Sequence, residues 1–167
     1  AKLRPVFQAS GSVTAGNSAM ISDGAAAVVV GSKAMAARSG PGPLARIVTM
    51  ATTGADPQDV FTAPVEAIRR VLAKADLEIH NIDLFEINEA FAVPMLACMR
   101  ELQLPHERVN IHGGAIALGH PIGASGARVL VTLLHALERR DARFGIAALC
   151  LGGGNAVAML VERERKS

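Results

Sequence analysis

Ile146-Ala147-Ala148-Leu149-Cys150-Leu151-Gly152-Gly153-Gly154-Asn155-Ala156-Val157-Ala158-Met159-Leu160-Val161 is the stretch that decides the architecture. Two short runs of small and branched apolar residues flank a glycine turn, which predicts an antiparallel hairpin over 146–151 and 156–161. Upstream, residues 124–140 read as a helix. It is apolar nearly all round through Leu137, so it is expected to be buried. Residues 91–102 predict another helix, stopped before Pro105, and residues 82–87 a short strand. Thr62 is placed to cap a helix with Pro64 in its first turn. That helix carries Val65, Ile68, Leu72 and Ala75 as its apolar stripe, and Arg69, Arg70 and Lys74 toward water. Residues 44–52 read as a strand, 33–38 as a short helix, 25–30 as a strand buried on both faces, and the Gly/Ser/Thr/Asn-rich start as loop. Strands alternating with helices and closed by a hairpin give an α/β layered fold with a mixed sheet. Ser39-Gly40-Pro41-Gly42-Pro43 marks a boundary that divides the chain into residues 1–40 and 41–167.

The chain of 167 residues is half hydrophobic but only 3% aromatic, with no Trp or Tyr, so its core must come from Ala, Val, Ile and Leu. The net charge is +2 and the basic residues are scattered, which gives no nucleic-acid footprint. The mixed-sign run Glu162-Arg163-Glu164-Arg165-Lys166 reads as a solvated terminus. Cys98 and Cys150 form neither a disulfide framework nor a metal-ligand spacing, which points to a reducing compartment and a cytoplasmic location. No apolar run reaches the roughly 20 residues of a membrane helix. The start Ala1-Lys2-Leu3-Arg4-Pro5 does not read as a signal peptide, and suggests a chain already in progress.

Three stretches place a polar or reactive group beside unusually small backbone. Asn88-Glu89-Ala90-Phe91-Ala92 follows a predicted strand, where α/β folds bind ligands. The same residues suit a plain helix start, with Asn88 as the cap and Glu89 favouring the dipole. Residues 113–127 are a dense Gly/Ala run whose one ionisable side chain is His120, between Gly119 and Pro121. A histidine there can act as general base or oxyanion donor, or serve structure alone. Cys150 stands at a strand end before three glycines, whose amides can hold an oxyanion. Cys98 reads as core.

Taken in order, these stretches resemble the thiolase family. Asn88-Glu89-Ala90-Phe91-Ala92 is similar to its asparagine motif, residues 113–126 to its Gly-Gly-Ala-Ile-Ala-x-Gly-His-Pro-x-Gly-Ala-Ser-Gly motif, and Cys150 to Gly154 to Cys-x-Gly-Gly-Gly. Val13-Thr14-Ala15-Gly16-Asn17 and Asp23-Gly24-Ala25-Ala26-Ala27 resemble the segment ending the family's N-terminal domain. The resemblance implies a thiolase-like fold, with residues 1–40 ending the first domain and 41–167 forming the second. It implies reversible acyl transfer between acyl-CoA and acetyl-CoA, by Claisen condensation or thiolysis of a 3-ketoacyl-CoA. The acyl group would ride on a cysteine of the N-terminal half, which has no counterpart here. His120 would activate that thiol and help form an oxyanion hole with a water held by Asn88. Cys150 would move the proton to or from the α-carbon or the leaving thiol, and Gly152 would offer its amide to the second hole.

The resemblance further places Ser18, Ala19, Phe61, Ala90 and Phe91 around the substrate. Ala19 stands where many thiolases carry serine, Val60-Phe61-Thr62-Ala63-Pro64 replaces a segment that contains Met-Gly in acetoacetyl-specific members, and His112 takes a place that is often asparagine. No cofactor and no metal is implied, since coenzyme A thioesters are substrates. The partners implied are an N-terminal half, in cis or as a separate chain, and further copies in an oligomer; neither a nucleic acid nor a membrane is expected. A noncatalytic lipid-carrier homologue or a partner-binding half is the alternative from another class, and retention of Cys150 favours catalysis. Asn88, His120 and Cys150 are therefore expected to meet in one pocket.

Overall fold

The computed structural model describes residues 2–38 and 44–164. In chain order its elements are α1 (Lys33–Ala36), β1 (Ala45–Gly54), α2 (Ala63–Ala75), β2 (Leu84–Ile87), α3 (Ala92–Glu101), α4 (Ala115–Leu118), α5 (Ser125–Arg139), β3 (Phe144–Leu151) and β4 (Asn155–Arg163), with short 3-10 turns between them. The hairpin forms as the sequence predicts. β3 and β4 pair antiparallel, with Cys150 opposite Ala156 and Leu151 opposite Asn155. Its turn needs glycine, because Gly154 has φ +88° and a Cβ there would stand 2.3 Å from Ala55 O. That close approach carries a bond, Ala55 N to Gly154 O at 2.8 Å, which ties the turn to the end of β1. β1 joins β4 antiparallel and β2 joins β3 parallel, so the mixed sheet runs β1-β4-β3-β2.

Alternation along the strands sends side chains to two layers. Phe85, Ile146 and Leu160 pack against Ile68, Val71 and Leu72 of α2, together with Met95 and Cys98 of α3. Leu84, Ala147 and Val161 point the other way, against Val129, Leu133 and Leu137 of α5. Each of these large aliphatics, wholly withdrawn from water, contributes about 1.5–3 kcal/mol of transfer free energy. The two helical layers fix β2 and β3 between them, and those strands point their carboxyl ends at the same edge.

Four expectations are corrected. Residues 25–30 form no strand: Val29 is 95% exposed and no described strand pairs with them. A continuous apolar run is suited to a buried strand, but a strand exists only where a neighbouring ladder takes its hydrogen bonds. Thr62 occupies the cap position of α2, yet its hydroxyl donates to Asp59 O at 3.1 Å and makes no cap. α5 is buried along one stripe, while Leu130, Val131 and Leu134 remain half-buried. Glu162 and Arg163 belong to β4 rather than to a solvated tail. Glu162 pairs with Arg46 and Arg143, and Arg163 with Asp141. The Pro/Gly boundary at 39–43 lies outside the described residues.

Candidate active site

Asn88 extends β2 by one residue, its N–H donating to Ala148 O on β3 at 2.9 Å. It is buried and does not cap the next helix, because Phe91 holds that position before α3. Glu89 does not serve the helix dipole either. Its carboxylate accepts from Asn110 Nδ2 at 2.8 Å and from Ile116 N at 3.1 Å, pulling the Gly-rich loop against the end of β2. Gly114 makes this possible, since a Cβ there would fall 2.3 Å from the Glu89 carboxyl carbon. Asn110 adds a second clamp. Its amide accepts from Ile87 N and donates to Ile87 O, both at 2.8 Å, so it occupies the outer edge of β2 as a neighbouring strand would.

With its loop held this way, His120 reaches Asn88. The His120 N–H donates to Met20 O at 2.7 Å, and Ile21 lies alongside, so the N-terminal segment braces the loop. His120 Nε2 stands 3.3 Å from Asn88 Nδ2, and His120 Nδ1 stands 2.6 Å from Ser125 Oγ at the start of α5. Ser125 donates its own proton to Pro121 O at 3.0 Å, so its oxygen faces the ring as an acceptor. Beyond Asn88, Arg128 Nη2 donates to Asn88 Oδ1 at 3.3 Å. Burial, and after it the Arg128 charge, hold the His120 imidazole below its ordinary range.

Cys150 lies on β3 beside this end of β2 and lines a small cavity with Asn88, Phe61, Ala90, Met95 and Cys98. Asn88 is thus common to both groups, bonded to His120 on one side and facing the Cys150 cavity on the other. Burial pushes the Cys150 thiol up, and pushes the deeper Cys98 thiol to about 11. At neutral pH the imidazole is therefore a free base and the thiol a loaded acid, the division of labour that proton transfer requires. Gly152 lies exposed just past Cys150, with open space where a Cβ would stand. Phe61 and Phe91 meet edge to face at 5.3 Å, Ala19 N donates to Ala90 O at 3.0 Å, and Ser18 bridges to Phe91. Of these five residues, Phe61 and Ala90 line the Cys150 cavity, and Phe91, Ala19 and Ser18 are joined to them by these contacts. No cluster of three or more metal-ligating side chains occurs among the described residues.

Sequence reasoning missed Asn110, Ser125, Arg128 and the clamp made by Glu89. One signal was available: Arg128 is a lone cation within an otherwise apolar stretch, just as Glu86 is a lone acid within β2. Glu86 is buried, its carboxyl raised to about 8 by burial against the opposing pull of Arg128.

Comparison with known proteins places these features in a family. Residues 42–163 match the thiolase C-terminal domain and residues 1–34 the thiolase N-terminal domain. The chain is 55% identical over 164 residues to acetyl-CoA acetyltransferase of Pseudomonas aeruginosa and 52% identical over 161 residues to that of Escherichia coli. These alignments cover 98% and 96% of the chain but 42% and 41% of the relatives, so the chain spans about two fifths of their length. The crystal structure of Bacillus anthracis acetyl-CoA acetyltransferase superposes with a TM-score of 0.95 at 47% identity, over 98% of this chain and 41% of that one. Human mitochondrial 3-ketoacyl-CoA thiolase in complex with CoA gives 0.91 at 42% identity, over 98% and 42%.

Proposed function

The chain belongs to the thiolase family, and from that premise we propose that it supplies the acid/base and oxyanion-binding part of an acyltransferase acting on coenzyme A thioesters. The observation that carries this reading is the bonded series Arg128–Asn88–His120–Ser125, set beside a cavity that holds the Cys150 thiol. A nucleophilic thiol from an N-terminal part of the enzyme gives its proton to His120 Nε2 and attacks the 3-carbonyl of a 3-ketoacyl-CoA. The C2–C3 bond breaks, the electron pair leaves as the acetyl-CoA enolate, and Cys150 Sγ–H protonates its carbon. Coenzyme A then returns a proton to the Cys150 thiolate and its sulfur takes the acyl group, releasing acyl-CoA and the enzyme thiolate, which recovers its proton from His120. Run backward, the same steps are a Claisen condensation. Asn88 and the Gly152 amide stabilise the oxyanions that form on the way. Every proton has a side chain to carry it, so the reading calls for no cofactor.

Met20, Ile21, Leu118 and Ile122 are exposed around the His120 loop, an apolar surface suited to the N-terminal partner. The enzyme is read as a cytoplasmic oligomer of fatty acid metabolism, with residues 1–40 and 41–167 belonging to its two domains. To test the catalytic reading, the chain is combined with the complementary part and assayed for thiolysis of acetoacetyl-CoA. His120→Ala is expected to lower the rate by roughly 10²–10⁴ while His112→Ala leaves most of it. Equal losses in two folded variants would overturn the assignment.

A further inference from the structure

Arg128 touches none of the groups proposed to meet substrate except Asn88. We propose that it is a positioning residue that fixes which end of the Asn88 amide faces His120, and through it which ring nitrogen carries the proton. The inference rests on the reading of His120 as the base.

The argument is one of donors and acceptors. A guanidinium can only donate, so Arg128 Nη2 must meet the oxygen of the Asn88 amide. That leaves the amide nitrogen facing His120 Nε2, which must then be the unprotonated, accepting nitrogen. At the other side of the ring, Ser125 donates to Pro121 O at 3.0 Å and so accepts from Nδ1 when the ring proton is there; its hydroxyl can also turn to donate to Nδ1, so it follows the tautomer that the Arg128 end selects. Both ends of the series suit the same neutral tautomer, and the Arg128 end is set by a group with no freedom to reverse. Had the Asn88 amide turned over, its oxygen would face Nε2 and favour a proton there, removing the base.

The surroundings of Arg128 support a dedicated role. Its Nε and Nη1 are buried and reach no partner among the described residues, so it is not a saturated structural ion pair. Among the described residues, the bond to Asn88 Oδ1 is the hydrogen bond its side chain makes. Facing it is Glu86, whose Oε1 is likewise unpartnered and whose carboxyl burial keeps protonated at neutral pH; Glu89, the next acid along, is engaged by Asn110 and Ile116. The Arg128 charge therefore acts on the Asn88–His120 pair without a carboxylate bonded to it.

The experiment is ¹⁵N spectroscopy of the histidine ring in the complete enzyme, with the His120 signals assigned through His120→Gln, alongside steady-state kinetics. In the unsubstituted enzyme the neutral ring should carry its proton on Nδ1. Arg128→Met should give a mixture of both tautomers, raise the pH at which the ring protonates, and lower kcat by about ten- to a hundredfold with little change in KM. Asn88→Asp keeps the partner of Arg128 and nearly the same shape, but presents an acceptor to Nε2. It should move the proton to Nε2, so the test stands even if Arg128→Met fails to fold. An unchanged Nδ1 tautomer in both folded variants would overturn the inference whatever the activity. A ring that responds as described while turnover stays unchanged would support it and sink the catalytic reading of His120 instead.

Discussion

Replacing Asn110 with alanine removes three hydrogen bonds of 2.8 Å at once, two to the backbone of buried Ile87 and one to the Glu89 carboxylate. It also leaves a residue with a Cβ at φ +47°, a conformation asparagine tolerates better than alanine. Two neutral bonds, one charge-assisted bond, an orphaned buried N–H and the left-handed backbone together cost about 3–5 kcal/mol, after allowance for the partial exposure of Glu89. The loss falls on the end of β2, so the assay is amide hydrogen exchange at Ile87, which should quicken roughly a hundredfold or more. Asn110→Gly loses the same bonds but accepts the backbone, and should be milder than alanine by about 1 kcal/mol. Asn110→Asp keeps the acceptor for Ile87 N yet sets a carboxylate against Glu89, and should rank with alanine. Unchanged Ile87 exchange in Asn110→Ala would refute the claim that this side chain stands in for a strand.

Glu86 holds its proton to about 8 in the fold against 4.5 for the free group, so between those values the native state binds the extra proton and stability falls as pH rises. Glu86→Gln should flatten that decline, with melting temperatures that differ less between pH 5 and pH 8 than those of the parent; an equal decline in both would count against the buried acid. Phe61→Ala removes a ring from the cavity beside Cys150 and should raise kcat/KM for longer 3-ketoacyl-CoA substrates relative to acetoacetyl-CoA, by about tenfold for each additional methylene or two accommodated. A substrate profile unaltered by the substitution would remove Phe61 from the acyl site.

The hairpin, α2, α3 and α5 were legible because each rests on local chemistry: a glycine turn with φ of opposite sign, or an apolar stripe of the right period. Residues 25–30 were not, because the same Ala/Val run describes a buried strand and an extended segment whose ladder is missing. The composition is identical; only a neighbour decides. Asn88, His120 and Cys150 could be picked out by their settings, small backbone around one polar group. Arg128 and Asn110 act on positions 40 and 23 residues away, and nothing in their own surroundings states the partner. The apolar reading of α5 went wrong at the same place. Arg128 turns inward from it toward Asn88, and the residues between its buried positions stay partly open to solvent.

The clamp of Asn110 on β2 also bears on how the chain avoids its own copies. A sheet of four strands has two edges, and each edge offers unpaired N–H and C=O groups to any extended segment nearby. At β2 the Asn110 amide already occupies the N–H and C=O of Ile87, and Val109 lies against Phe85. At β1 the ladder slips between Ile47 and Thr49, and the Lys74 ammonium sits on Met50 O at 2.9 Å, placing a charge where an incoming strand would add. The β2 margin is blunted by its four-residue length as well as by side chains, and the ten-residue β1 margin by side chains and a slipped ladder, which leaves little open edge for a second copy of this valine- and alanine-rich chain to add to.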